Sequence, residues 1–401
     1  MLIALDGISI PIALSNCDAL LRPLAEVLGS WRFRILESIE SDPPAAMSVI
    51  REGDCFRIAS PWLGQPVVEH SEVGAVFSLT AELARAFAEE KPERLCFHCA
   101  AVEIGDRLIM FPNTENAGKS TLAAKLASSG LRIFADDVLP ISETSREGTS
   151  LGIAPRLRLP LPATARVAFR EFVRTHRGPH DNEFSYLILP ANLLAPFGDA
   201  APIGAVLVLD RQSSTSARLT AVTRGQGLRQ LIVQNFAPGG TQINSVDRLY
   251  SLIEQTSCFS LIYSDLDEAA ELIRNRFSTK NASWRKAGKE PRTEAVEVVV
   301  EIPSERIRAR TPRFEQTPGV ILRAIDDDLF LVKPDEEVVF HLNPVAASLW
   351  RLLERPTTMA TAIDVLREAF PLADARRVKR DVRTLFDTLR ADRLIRFSPD
   401  Q

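Results

Sequence analysis

The segment Phe111-Pro-Asn-Thr-Glu-Asn-Ala-Gly-Lys-Ser-Thr121 constrains this chain more than any other. An apolar run, residues 107–111, precedes it, and a helical pattern over residues 120–128 follows. Strand, loop, Gly-Lys-Ser-Thr and helix form the setting of a phosphate-binding loop. In such a loop backbone N–H groups around Ala117, Gly118 and Ser120 face phosphate oxygens, helped by the partial positive charge of the helix N-terminus. Lys119 neutralises the outer phosphates, and the Ser120 hydroxyl, with Thr121 behind it, is placed for Mg²⁺. Asn113 stands where the pattern asks for glycine, and Asn116 at a second position where glycine is common. Asparagine is among the side chains that best tolerate positive φ, so the loop can keep its shape.

Downstream, Leu131-Arg-Ile-Phe-Ala135 reads as a buried strand ending in Asp136-Asp137. Carboxylates at a strand end beside a phosphate loop can hold Mg²⁺ or take a proton from an attacking hydroxyl. Elsewhere such a pair would simply cap a turn. Upstream, residues 95–103 read as one buried strand. It contains Cys96-Phe-His-Cys99, whose two thiols would face apart because strand side chains alternate. With no second Cys/His pair, buried cysteines are the simpler reading than a closed zinc site.

Composition bounds the rest. With 401 residues, 45% hydrophobic and 25% charged, the chain has the balance of a globular protein with two or three domains. A net charge of −4 argues against general affinity for nucleic acid or for an anionic membrane. No apolar run approaches the roughly 20 residues of a membrane span, and the N-terminus makes a poor secretion signal. The five cysteines (Cys17, Cys55, Cys96, Cys99 and Cys258) are too few and scattered for a disulfide framework. A cytoplasmic protein is expected.

Short apolar runs broken by turn residues fill residues 1–75, with a helix over 18–28. A helix over 75–90 carries Val76, Leu79, Leu83 and Phe87 on one face. Residues 205–209 read as a strand, and 225–234 and 246–255 as helices. From 277 to 313 the chain turns polar and basic, a linker with one expected strand at 298–302. Three strands (320–324, 329–332, 338–342), three helices (344–353, 359–369, 374–392) and a last strand (394–397) then make a module of about 90 residues, enough to fold alone. Its basic run Arg376-Arg-Val-Lys-Arg380 would suit DNA, but Asp374, Asp381 and Asp387 share that helix, so a solvated face is favoured.

His98-Cys-Ala-Ala-Val-Glu103, Gly118-Lys-Ser-Thr121 and Phe134-Ala-Asp-Asp-Val138 together resemble the HPr serine kinase/phosphorylase family and its kinase-like relatives. The likeness covers about residues 95–275, with 1–94 like the N-terminal part of those relatives. It implies a mixed-sheet P-loop domain, ATP and Mg²⁺ as cofactors, His98 in the active site, and Asp136 and Asp137 handling metal and the seryl proton. Ser120 and Asp136 are the implied metal ligands, and the likeness leaves room for a homo-oligomer. The family's later acidic-Arg-Gly signature is absent; Ala154-Pro-Arg-Leu-Arg-Leu-Pro160 offers only Arg156 and Arg158, which argues against phosphorylase activity. Residues 308–398, with Asn343-Pro-Val-Ala-Ala-Ser-Leu-Trp350 and a closing acidic-basic helix, resemble the PqqD family of small domains that bind leader segments of ribosomally made peptides.

The expected fold is therefore α/β. A P-loop HPr-kinase-like domain (95–277) with a β-rich N-terminal segment (1–94) joins, through a linker (278–307), a winged-helix-like, PqqD-like α+β domain (308–398). The joint reading is a kinase acting on a Ser/Thr hydroxyl of a precursor peptide. Two alternatives stay open: an impaired P-loop protein that delivers peptides, and a small-molecule hydroxyl kinase.

Overall fold

The computed structural model describes residues 1–36, 46–112, 117–236, 242–278, 312–333 and 338–398. It is a mixed α/β structure of two compact units, one of Met1–Gly239 with Arg248–Gly288 and one of Gly240–Asp247 with Lys289–Gln401. The linker expected over 278–307, with its strand at 298–302, falls almost wholly outside the described residues.

In the first unit, residues 2–69 build a six-stranded sheet. Its order is Phe33–Leu36, Leu2–Leu5, Ile12–Ser15, Met47–Glu52, Cys55–Ala59 and Val67–Glu69. Burial alternates along these strands: Ile3 and Leu5, Ile12 and Leu14, Met47 and Val49 point inward. Such period-two burial belongs to a sheet with one covered face. Trp31, Leu24, Leu83 and Phe87 pack in that core, drawing in the helices Leu21–Leu28 and Glu72–Glu89. The second helix starts where Ser71 accepts a hydrogen bond from the N–H of Gly74, and its stripe Val76, Leu79, Leu83 and Phe87 is buried. Each such side chain contributes about 1.5–3 kcal/mol.

A nine-stranded sheet forms around the long strand Ala200–Arg211. The start of that strand pairs with Glu147–Thr149. Its remainder runs parallel to Arg107–Phe111 on one side and Ser257–Tyr263 on the other. This parallel trio is covered on both faces, which is why Leu108 to Phe111 read as an unbroken apolar run. The helices Lys119–Ala127 and Leu266–Phe277 pack against it. The Lys125 ammonium meets the Asp267 carboxylate at 2.5 Å.

One expectation is corrected here. Residues 95–103 are two strands, Arg94–His98 and Ala100–Ile104, with different partners. The first pairs with Val138–Ser142, the second with Arg107–Phe111 and Arg132–Ala135. The break at Cys99 is hard to read in the sequence, because apolar residues flank it on both sides and the single polar residue there, His98, fits within a strand as well as at its end. Its consequence is local and important. Val138 sits opposite His98, and the Cys99 N–H donates to the Asp137 carbonyl at 3.1 Å, so His98 and Asp137 become neighbours. The helices Val167–Thr175 and Leu266–Phe277 were not foreseen; the second is capped by Asp265, which accepts from the N–H groups of Asp267 and Glu268.

The second unit contains the antiparallel sheet Ile321–Ile325, Asp328–Val332 and Val339–Leu342, and a smaller sheet of Thr357–Thr358, Arg313–Gln316 and Ile395–Phe397. Asn343, Thr358 and Asp374 cap the helices Pro344–Leu352, Met359–Ala369 and Ala375–Ala391, each accepting a first-turn N–H. Trp350, 1% exposed, packs with Leu329, Leu331 and Phe386 in the core.

Candidate functional site

Gly118 turns the chain into the helix Lys119–Ala127 from φ 89°, the left-handed region. A β-carbon there would be strained and would meet the Tyr263 hydroxyl at 3.1 Å, so glycine is required. The first α-helical bond runs from the Leu122 N–H to the Gly118 carbonyl, leaving the first-turn N–H groups directed out of the helix end. Lys119 is only 7% exposed.

The helix end opens into a cleft of about 960 Å³. Ala117, Gly118, Lys119, Ser120 and Thr121 line one wall. His98, Asp136 and Asp137 line another, and Arg156 with Phe77 a third. The structure thus brings together every described residue that the sequence nominated. Asn113 and Asn116, with Glu115 between them, lie outside the described residues.

The two aspartates occupy different surroundings although they are adjacent. Asp136 is 7% exposed; one carboxylate oxygen, Oδ2, accepts the Arg156 backbone N–H at 2.8 Å. Its other oxygen, Oδ1, is buried without a hydrogen-bond partner among the described residues. Burial and the neighbouring Asp137 charge push its pKa up to about 7, against the pull of the Arg156 N–H and the Ser120 hydroxyl. Asp137 is half-buried at the cleft wall, its Oδ1 3.3 Å from His98 Nε2. Burial raises its pKa, but the His98 hydrogen bond and the charges of His98, Arg156 and Lys119 together outweigh that, and the net direction is downward. One carboxyl is held near neutrality and the other ionised, the separation that divides roles within a pair.

A buried acceptor oxygen without a donor is costly unless a cation or water completes it. Asp136, with the Ser120 hydroxyl against its carboxylate, fits a magnesium ion held mainly by phosphates, since Mg²⁺ commonly takes only one or two protein ligands. Among the described residues no group of three or more His, Cys, Asp or Glu could hold a metal by itself. Cys96 and Cys99 are both buried; burial pushes the first thiol up to about 12 and the second above its ordinary range.

Sequence reasoning missed the third wall. The guanidinium of Arg156 lies over the rings of Phe77 and Phe184, its Cζ 3.2 and 4.2 Å from their centroids. The only linear signal was the polar-apolar alternation of Arg156-Leu157-Arg158, now seen as a strand paired with Phe184–Leu187.

Residues 328–395 match the family model described as Coenzyme PQQ synthesis protein D (PqqD), so the C-terminal unit carries a PqqD-like domain. No curated protein matches the chain. A solved structure titled "TbiB1 in Complex with the TbiA(beta) Leader Peptide" is 24% identical over 21% of this chain and 99% of that one, with a TM-score of 0.20. No helix among the described residues is long and apolar enough to cross a membrane.

Proposed function

We propose that the protein is an ATP- and Mg²⁺-dependent kinase that phosphorylates a Ser or Thr hydroxyl of a ribosomally made precursor peptide, with the C-terminal domain capturing the peptide. One observation carries the kinase half: Lys119 and Ser120 at a helix N-terminus share a single cleft with Asp136, Asp137 and His98. Bound MgATP would supply the activated phosphoryl group. The N–H groups of Gly118 to Thr121 and the Lys119 ammonium would hold the phosphates, while Ser120 and Asp136 would hold the metal. Asp137, ionised at neutral pH and facing the cleft, would take the proton from the acceptor hydroxyl, with His98 fixing its orientation.

The PqqD match supports the peptide half. Among the described residues Ile321–Ile325 and Val339–Leu342 each pair on one side only, so an extended peptide could add as a further strand. Tethering the peptide would raise its effective concentration at the kinase site. The test is transfer of label from γ-labelled ATP to a synthetic library of Ser- and Thr-containing peptides. The proposal expects label on peptide hydroxyls and a loss of about 10²–10⁴-fold in Asp137→Asn, the range of a general base. Hydrolysis of ATP with no labelled peptide, or label on small alcohols alone, would sink it.

A further inference from the structure

Of the three arginines that line the cleft, Arg156, Arg158 and Arg211, the first is half-buried and the other two are exposed, and the sequence motifs leave Arg156 without a task. Its contact with Phe77 and Phe184 is through ring faces, which use none of its N–H groups. Among the described residues no carboxylate lies within ion-pair distance of it, although Asp136, Asp137 and Asp181 all feel its charge. The other arginines near this region are paired or more exposed: Arg132 bonds Glu103 and Asp199, and Arg158 is exposed. Arg156 is also fixed at its backbone, whose N–H is bound to Asp136. A half-buried guanidinium held by two aromatic rings from different elements, with its planar donors unspent, is prepared for an anion rather than for packing.

We infer that Arg156 binds the terminal phosphoryl group of the nucleotide, with Phe77 and Phe184 as positioning residues that set the plane of its guanidinium. The phosphate loop, with Lys119, would hold the phosphates from the helix end. Arg156 lines the same cleft beside Asp136 and Asp137, and there it would meet the group that is transferred. This inference rests on the nucleotide reading of the cleft for its ligand, but the anion site can be tested alone.

The experiment is calorimetric titration of the full chain with MgATP, MgADP and tripolyphosphate. Wild type is compared with Arg156→Ala, Arg156→Lys and Phe184→Leu, with thermal melting to confirm folding. The expected result is a loss of about tenfold in MgATP and tripolyphosphate affinity for Arg156→Ala, with MgADP changed by less than about twofold. Arg156→Lys should recover only part of the loss, because an ammonium lacks the planar fork. Phe184→Leu should weaken MgATP and tripolyphosphate by about threefold each and leave MgADP within about twofold. Equal losses for MgATP and MgADP, or no loss, overturn the inference. Should wild type bind neither nucleotide, the kinase reading fails while the tripolyphosphate arm still decides. Its loss in Arg156→Ala upholds the anion site; failure of wild type to bind tripolyphosphate overturns it. If Arg156→Ala does not fold, the lysine and Phe184 variants carry the same comparison.

Discussion

Each unit buries an aspartate, and the two are handled in opposite ways. Asp328 in the C-terminal unit is 2% exposed and its Oδ1 meets His341 Nε2 at 2.6 Å across paired strands, with the His341 ring packed 4.9 Å from Phe330. Asp136 is nearly as buried, yet one of its oxygens has no partner among the described residues and the next residue is another carboxylate. A paired buried charge is a structural element that the fold supports. A half-satisfied buried carboxyl beside a like charge opposes folding and persists where something outside the fold completes it. On the proposed reading, the contrast separates a region built to be stable from one built to receive a ligand.

The largest effect should come from Asp136→Asn. Its folded pKa lies near 7 and its ordinary value at 3.8, so the native state binds the extra proton between those limits. The group's contribution to stability is therefore fully present below pH 3.8 and lost as pH rises toward 7. Relative to wild type, the asparagine variant should gain stability across that interval, up to about 4 kcal/mol by neutral pH without ligand. Denaturant melts at several pH values check this. A difference that does not change with pH would break the comparison. Asp137, shifted the other way, loses its contribution only as pH falls below its ordinary range, so the two windows do not overlap.

The opposite sign is expected at the paired site. His341→Ala leaves Asp328 buried without that partner and should cost about 3 kcal/mol. Hydrogen exchange resolved by peptide should place the loss in the C-terminal unit. A neutral outcome would mean that Asp328 is no better served than Asp136. Smaller still, Asn343→Ala removes the cap that accepts the Ala346 N–H at 3.0 Å and should cost about 1 kcal/mol, seen in exchange of the first turn of Pro344–Leu352.

The same two regions differ in how far the sequence disclosed them. In the C-terminal unit helix boundaries were legible to within a residue because Asn343, Thr358 and Asp374 mark the starts and the apolar residues keep helical spacing. The strands expected at 320–324, 329–332, 338–342 and 394–397 came within a residue for the same reason, short apolar runs separated by turn residues, whereas Arg313–Gln316 and the two-residue Thr357–Thr358 were not foreseen. In the first unit Lys119, Ser120 and the aspartate pair were legible because their chemistry is written into contiguous motifs. His98 was not, except through family resemblance; what makes it part of the site is the register of Arg94–His98 against Val138–Ser142, forty residues apart in sequence by rough count. The Arg156 wall was equally hidden. It assembles a helix residue, Phe77, with two strand residues from a separate small sheet, and no local pattern reports such a meeting.

Calorimetry with MgATP decides whether the Gly118–Thr121 turn is a working phosphate site. Wild type should bind MgATP, and Lys119→Ala, which removes the cation from the helix end, should bind at least about tenfold more weakly. Wild type that binds no MgATP, or a variant that binds it equally well, would mean that the turn holds no phosphate.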